Sequence, residues 1–257
     1  MKILAAAILG LVLVSVPDEI ELGRAANARV KRELTQFHDN QIGAYITSIG
    51  IRLARSARGP NYPYSFAIAD YREINAFALP GGPVWINRGV LHEATNESQL
   101  AGVLAHEIAH VSQRHAASQV TQGAFANWGL GLLSAMLGNI GGAGAARTAA
   151  GTLAGSMFLK FSRDDESEAD RVGLQILTRA GWDARGMVEL LDVLRRVQQR
   201  DPTAVETFFS THPSPEDRIK DLQADVRRHT GGRRDSAGFQ RAKSRSLALP
   251  PPHRLPK

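Results

Sequence analysis

The sequence predicts a mostly helical α+β fold with a small β-sheet beside a central helix. Apolar residues recur at helical spacing on both sides of a stretch from residue 64 to residue 87, where short apolar runs alternate with glycine and proline. One helical segment carries the motif His106-Glu107-Ile108-Ala109-His110. A chain of 257 residues with 43% hydrophobic composition can bury one sizeable core. We therefore expect one main domain, at residues 17–226.

The first 16 residues predict export. Lys2 precedes an uncharged apolar run from Ile3 to Val16, and a polar segment follows. An apolar stretch of about 14 residues is typical of a signal peptide, whereas a membrane span needs about 20. Leu13 makes the cleavage site poor, so an uncleaved N-terminal anchor is the alternative to a cleaved signal peptide.

The next two segments predict the scaffold. From Glu19 to about Ala57 the apolar residues recur at roughly helical intervals, which predicts structural helices. Between Tyr64 and Asn87 the pattern changes to strand-like runs interrupted by two prolines and two glycines, which predicts a small sheet with a glycine turn. This sheet either only packs on the helices or offers an edge to which an extended peptide adds as a strand.

The motif in the central helix predicts a zinc site. Residues four apart on an α-helix lie about 40° apart around its axis, so His106 and His110 can point ring nitrogens at one ion while Glu107 stands beside it. Asn96 and Gln99 form a plausible capping pair at the start of this helix. The alternative is that these are two ordinary helix histidines.

The segment after this helix is almost free of charge. Residues 116 to 146 contain no Asp, Glu, Lys, Arg or His, and glycine and alanine dominate as far as Ser156. We interpret residues 116–159 as a flexible lid over a cleft or as a buried helical hairpin. Membrane contact is the alternative, although the apolar core from Trp128 to Ile140 is short and broken by glycine.

A second helix supplies a candidate third ligand. Catalytic zinc usually takes three protein ligands, and without cysteine the third must be His, Asp or Glu. A helix from about residue 162 to residue 181 would place Glu166 and Asp170 on its apolar face and Glu168 on its polar face. Glu166 is therefore the candidate ligand. Asp170 would accept the free ring N–H of a ligating histidine.

The metzincin arrangement is disfavoured. It places a third histidine six residues after the second, but position 116 here is alanine. His115 misses the required position by one residue.

Residues 227–257 predict a disordered basic tail. They carry nine Lys or Arg residues against Asp235 alone, so the rest of the chain is weakly acidic although the whole has a formal net charge of +6. Glycine, serine and three consecutive prolines favour disorder. The tail could meet nucleic acid or an anionic membrane surface, but only Phe239 interleaves its charges. We expect a solvated tail and no specific nucleic acid partner.

Four segments in order carry a family resemblance: Asn75 to Gly82, His106 to His110, Ser162 to Asp170, and Thr211-His212-Pro213. Together they resemble the gluzincin metallopeptidases related to HtpX and the CAAX prenyl endopeptidases, over roughly residues 17 to 226. Closest in layout are the soluble, exported, BepA-like periplasmic proteases implicated in outer-membrane protein quality control. The resemblance implies a zincin-like metallopeptidase domain that binds one Zn²⁺.

The resemblance also implies roles for individual residues. His106, His110 and Glu166 would be the ligands, and Glu107 would be the catalytic base. His212 would lie near the metal, where it either stabilises the oxyanion or occupies the open position and holds the enzyme latent. Without the resemblance we would interpret His212 as a loop histidine before a helix start.

Substrate contacts are implied at Asn75, Ala76, Gly81 and Gly82. The expected function is a zinc-dependent endopeptidase that hydrolyses polypeptides, including misfolded envelope proteins, in the periplasm. An uncleaved N-terminus or residues 116–159 would allow peripheral membrane contact, as the alternative to a location free in the periplasm. The alternative is a chaperone-like or assembly factor with a latent or structural metal site. The sequence has no cysteine for lipidation, and we expect no helical repeat domain after residue 226.

Overall fold

The computed structural model describes residues 14–121, 161–212, 215–229 and 231–255. Most of the expected signal peptide and of the expected lid or hairpin therefore lies outside the described residues. Within the described ranges, no helix is both long and apolar enough to cross a bilayer.

Helices make up most of the described chain, which confirms the predicted fold class. They are α1 (Val16–Glu33), α2 (Asn40–Ala54), α3 (Arg88–Glu93), α4 (Glu97–Ser112), α5 (Arg163–Arg179), α6 (Arg185–Arg200), α7 (Glu206–Thr211), α8 (Pro215–Val226) and α9 (Ala237–Ala248). A 3₁₀ turn at Pro202–Ala204 joins α6 to α7, and a further helical stretch covers residues 115 to 121.

The sheet has three strands in the order β1-β3-β2: β1 (Ser65–Ala69), β2 (Ala76–Ala78) and β3 (Pro83–Asn87). β1 pairs with β3 in parallel, whereas β2 pairs with β3 in antiparallel fashion. The predicted glycine turn joins β2 to β3, and Gly81 and Gly82 have φ values of 71° and 125° there. A Cβ on Gly81 would lie 2.5 Å from the Cα of Ile20, so α1 packs where only glycine fits.

Helix α4 is the centre of the fold. All of its residues are buried, and it packs against α2, α5, α6 and the sheet. Close approach to α6 depends on Gly186, because a Cβ there would lie 2.1 Å from Ser98 Oγ. The core therefore surrounds α4, and any side chain on α4 is held by neighbours on several sides.

The C-terminal segment departs from the sequence prediction. Residues 227–257 were expected to be disordered, yet within this tail Ala237–Ala248 form α9 and pack on the body, with Phe239 fully buried. The basic side chains find acidic partners there: Arg233 Nε lies 2.9 Å from Glu97 Oε2, and Arg245 Nε lies 2.8 Å from Asp39 Oδ2. The composition of the segment suggested disorder. Composition cannot show that acidic residues of the domain form ion pairs with the basic residues of this segment.

Candidate metal centre

Helix α4 presents His106, Glu107 and His110 from one buried face. The Asn96 side chain accepts a hydrogen bond from the Gln99 N–H at 3.1 Å, which confirms the predicted cap. The Gln99 side chain reaches back to the Thr95 N–H at 2.9 Å, one residue before the expected partner.

Helix α5 brings the acidic residues to α4. Ser162 and Asp165 form a capping box, and Glu166 and Asp170 are buried as the periodicity predicted. Gly173 lies on the same face, where a Cβ would stand 3.2 Å from both Cα and N of His106. The absence of a side chain at Gly173 thus lets α5 approach α4 closely enough for Glu166 to reach the histidines.

Three predicted ligands converge. His106 Nε2 lies 3.0 Å from His110 Nε2 and 3.6 Å from Glu166 Oε2, and His110 Nε2 lies 3.3 Å from Glu166 Oε1. Donors bound tetrahedrally to one zinc at about 2.0–2.1 Å stand roughly 3.3 Å apart. Imidazole nitrogens and a carboxylate are also donors that zinc prefers. The spacing and chemistry of these residues therefore fit a zinc ion.

His212 adds a fourth donor. It follows α7, its backbone N–H donates to Phe208 O at 2.8 Å, and its ring stacks on Phe208 with centroids 4.8 Å apart. Its Nδ1 lies 2.8 Å from Glu166 Oε1 and 3.4 Å from His106 Nε2. Donor atoms of His106, His110, Glu166 and His212 all lie within 4.8 Å of one another, so His212 is a candidate fourth ligand.

A buried ion pair between Asp170 and Arg218 contacts the candidate ligands His106 and Glu166. His106 Nδ1 lies 3.0 Å from Asp170 Oδ1 but without hydrogen-bond geometry, so the role of Asp170 in orienting this ligand stays a prediction. Arg218 donates to both oxygens of Asp170, through Nε at 2.6 Å and Nη2 at 2.7 Å. Its Nη1 also lies 2.6 Å from Glu166 Oε2. One guanidinium therefore holds both carboxylates in place.

The charges at the site depart from their solution behaviour. Burial opposes ionisation of Glu166, but the neighbouring His212, His106 and His110 hold its pKa well below the usual range. Burial lowers the pKa of His110 well below its ordinary value. Burial also disfavours a charged His106, but Asp170 and Glu166 raise the pKa of His106 to about 9. Glu166 is thus ionised and His110 neutral, as metal ligands must be, whereas His106 would have to release a proton when a metal binds.

Glu107 is buried with few polar contacts. Neither of its carboxylate oxygens accepts a well-formed hydrogen bond among the described residues, although the backbone N–H of Ala78 is close enough to lower the pKa of Glu107, and His212 Nε2 lies 3.7 Å from Oε1. Burial raises the pKa of Glu107 above its ordinary value. An unpartnered buried carboxyl is costly for stability, so its place beside the cluster points to chemistry.

Comparison with known proteins identifies the domain. Residues 40–226 match Peptidase family M48. The chain belongs to this family. The M48 chain is 34% identical over 245 residues to the Beta-barrel assembly-enhancing protease of Escherichia coli K12, which covers 91% of this chain and 49% of that protein.

Two further relatives match the chain over different shares of their own length. The Mitochondrial metalloendopeptidase OMA1 of Schizosaccharomyces pombe is 34% identical over 161 residues, 61% of this chain and 46% of that protein. Metalloprotease YcaL of Escherichia coli K12 is 27% identical over 192 residues, 72% of each protein. The M48 chain thus spans about half the length of the first two curated relatives.

The residues expected to contact substrate are buried. Asn75 accepts the Asn87 backbone N–H at 2.8 Å through its carbonyl, and Ala76 pairs with Ile86 in the sheet. Gly81 and Gly82 are buried in the turn. Packing thus explains the glycines, and substrate contact at these positions stays a prediction.

Two neighbours of His110 were not predicted. Phe161 stacks on its ring with centroids 3.9 Å apart, and His115 Nδ1 lies 2.8 Å from His110 Nδ1. Phe161 directly precedes the capping Ser162, so its place depends on the meeting of α5 with α4, which no local pattern shows. In the sequence, His115 was considered only as a metzincin ligand and rejected for its spacing. A contact between His115 and the ligand His110 was not considered.

Proposed function

We propose that this M48 chain is a zinc-dependent endopeptidase that cleaves polypeptides in cell-envelope protein quality control. The observation that carries the proposal is the convergence of His106, His110 and Glu166, with the carboxyl of Glu107 alongside. Membership of a peptidase family supports it, as do relatives named as proteases.

The residues divide the work of hydrolysis. His106, His110 and Glu166 would hold zinc, which acts as a Lewis acid and lowers the pKa of water when bound. Glu107 takes the proton of the attacking water and can return it to the leaving amine. Burial, which raises the pKa of Glu107, favours a carboxyl that can hold a proton between these steps.

We infer that His212 keeps this site latent. A catalytic zinc site leaves one position open, whereas a structural site is closed by four protein ligands. His212 Nδ1 would supply the fourth donor from its position beside Glu166, so that water and substrate would enter only after it moves away. This contact favours latency over oxyanion stabilisation. The same closed set favours the second candidate function, an assembly factor with a structural metal.

The proposed base is tested with Glu107→Gln in the full chain. We expect one zinc per chain in both proteins, because Glu107 is not in the ligand set. Digestion of an unfolded protein substrate should fall at least about 100-fold, since general-base catalysis is worth that much or more. Full turnover by the variant would rule out Glu107 as the base. Zinc binding without cleavage, even after removal of the His212 side chain, would favour the assembly factor.

The latency proposal is tested with His212→Ala. Losing the fourth donor should raise the rate of digestion while zinc is retained by three ligands. His229→Ala is the control, because this histidine is exposed and its ring Nδ1 bonds to Asp225 O in its own turn. A fall in the rate comparable with that of Glu107→Gln would instead assign His212 to oxyanion stabilisation.

We further propose an exported, periplasmic chain of the HtpX and CAAX-related type, with residues 17–226 as its catalytic domain. The charge pattern of the first 16 residues supports export. The name of the Escherichia coli relative supports an envelope role, with misfolded envelope proteins as substrates. Fractionation of cells that express the tagged chain tests its location, and recovery in the cytoplasm would contradict it.

A further inference from the structure

His115 links a ligand to the surface of the domain. Its ring is only 3% exposed and lies between His110 and Glu168. Nδ1 of His115 stands 2.8 Å from Nδ1 of His110, and Nε2 stands 3.2 Å from Glu168 Oε2. The mechanism proposed above does not use this buried histidine.

We propose that His115, oriented by Glu168, is a positioning residue that fixes the ring and tautomer of His110. The proposal rests on the proposed function, because it takes His110 as a metal ligand. It concerns a side chain outside the ligand set, and it predicts an effect on metal affinity itself.

The carboxylate of Glu168 fixes the direction of both hydrogen bonds, the one from His115 to Glu168 and the one between His110 and His115. The ionised carboxylate of Glu168 can only accept, so Nε2 of His115 donates to it. With its proton on Nε2, His115 presents a lone pair on Nδ1, which accepts the Nδ1–H of His110. His110 is then left with a lone pair on Nε2, the atom that faces Glu166 and His106. The opposite tautomer of His110 would aim a proton at the metal position.

The backbone holds His115 in this place. Arg114 has φ of 61°, a left-handed conformation that non-glycine residues seldom adopt, and this reverses the chain after α4. The Arg114 side chain is tied to Glu19 at 2.9 Å and to the carbonyl of Val14. Glu19 is itself buried and also accepts from Tyr62 at 2.7 Å. The strained turn is thus anchored to α1, which sets His115 against His110.

His115 and Glu168 should contribute unequally to zinc affinity. The side chain of Glu168 is 44% exposed, and Asp165 Oδ1 stands 4.0 Å from His115 Nε2 as a nearby substitute. Loss of Glu168 alone should therefore weaken zinc binding less than loss of His115.

The experiment measures zinc affinity by competition with a chromophoric chelator, using the full chain. Loss of a hydrogen bond that orients a ligand typically costs 10- to 100-fold in metal affinity, so we expect a loss of about that size for His115→Ala. His115→Phe fills similar space without a hydrogen bond and should be as weak. His115→Gln keeps an acceptor oxygen and should recover part of the affinity. Absorption of the Co²⁺-loaded proteins should change in the same order.

The outcomes separate the two proposals. Unchanged affinity in His115→Ala, or full affinity in His115→Phe, would overturn the positioning role while leaving the zinc site intact. Failure of the unaltered chain to bind zinc would overturn the metal site and this role together. His229→Ala is the matched control and should bind zinc with unaltered affinity. Thermal unfolding without metal checks that each variant is folded.

Discussion

Arg218 provides the positive charge that allows Glu166 and Asp170 to be buried at the metal centre. Its side chain is 8% exposed and contacts Glu166 and Asp170, which are themselves buried. Burial of two carboxylates near each other is unfavourable unless a cation is close. The charge of Arg218, despite the opposing effect of burial, lowers the pKa of Asp170. The site therefore carries its own counter-charge before any metal binds.

Replacement of Arg218 by alanine should lower the free energy of unfolding of the metal-free chain by about 3–5 kcal/mol, because it leaves buried carboxylates without their cation. Urea denaturation measures this loss. Arg195→Ala is the control, since the pair of the exposed Arg195 with the half-buried Asp192 should contribute no more than about 1 kcal/mol. Equal losses in the two variants would show that the buried pair does not stabilise the fold.

Among the secondary-structure elements, the contact of α4 with α5 is the one on which the site depends. α4 carries two ligands and α5 the third, so the separation of these helices sets the distance from Glu166 to the histidines. Gly173 stands against the backbone of His106, which cannot yield as a flexible side chain would. A single methyl group at this point acts on all three ligands together.

Substitution of Gly173 by alanine should destabilise the fold by about 1–3 kcal/mol and weaken zinc binding, because it forces α5 away from α4. Gly43→Ala is the matched control. Apart from the backbone of α2 itself, no heavy atom of the described residues lies within 4 Å of a Cβ built at Gly43, so helix propensity should stabilise that variant by about 0.5–1 kcal/mol. Thermal unfolding and chelator competition measure both effects. Unaltered zinc affinity in Gly173→Ala would show that the helix spacing does not govern the site.

The molecule as a whole includes its C-terminal segment. Phe239 and Ala242 of α9 belong to the main core, beyond the end of the family match at residue 226. Arg88, buried beside β3, donates through Nε to Ser246 Oγ at 2.9 Å and through Nη1 to Asp70 at 3.0 Å. The segment therefore closes the face of the domain formed by α2 and α3.

Truncation of Phe239 to alanine should lower the free energy of unfolding by about 3–5 kcal/mol, because it opens a cavity in this core. Leu247→Ala on the same helix is the control. Leu247 is 56% exposed, so its loss should change stability by no more than about 0.5 kcal/mol. Guanidinium denaturation compares the two. If Phe239→Ala were no worse than Leu247→Ala, the segment would be a loosely attached tail, as its composition suggested.

Features that depend on residues close together in the chain could be predicted from the sequence alone. The starts of α4 and α5, the paired histidines and the inward face of Glu166 follow from capping residues and helical periodicity, since these depend on neighbours within a few positions. α6 was not assigned from the sequence, although its apolar residues recur at helical spacing.

Contacts between distant parts of the chain were decided only by the tertiary structure. The parallel pairing of β1 with β3, the fourth donor His212, the link from His110 to His115 and the docking of α9 each join surfaces that no local pattern relates. A short-range pattern records which face of an element is apolar or which residue caps it. Which faces and charges then meet depends on packing the whole chain, and that packing brought Arg233 to Glu97 and His212 to Glu166.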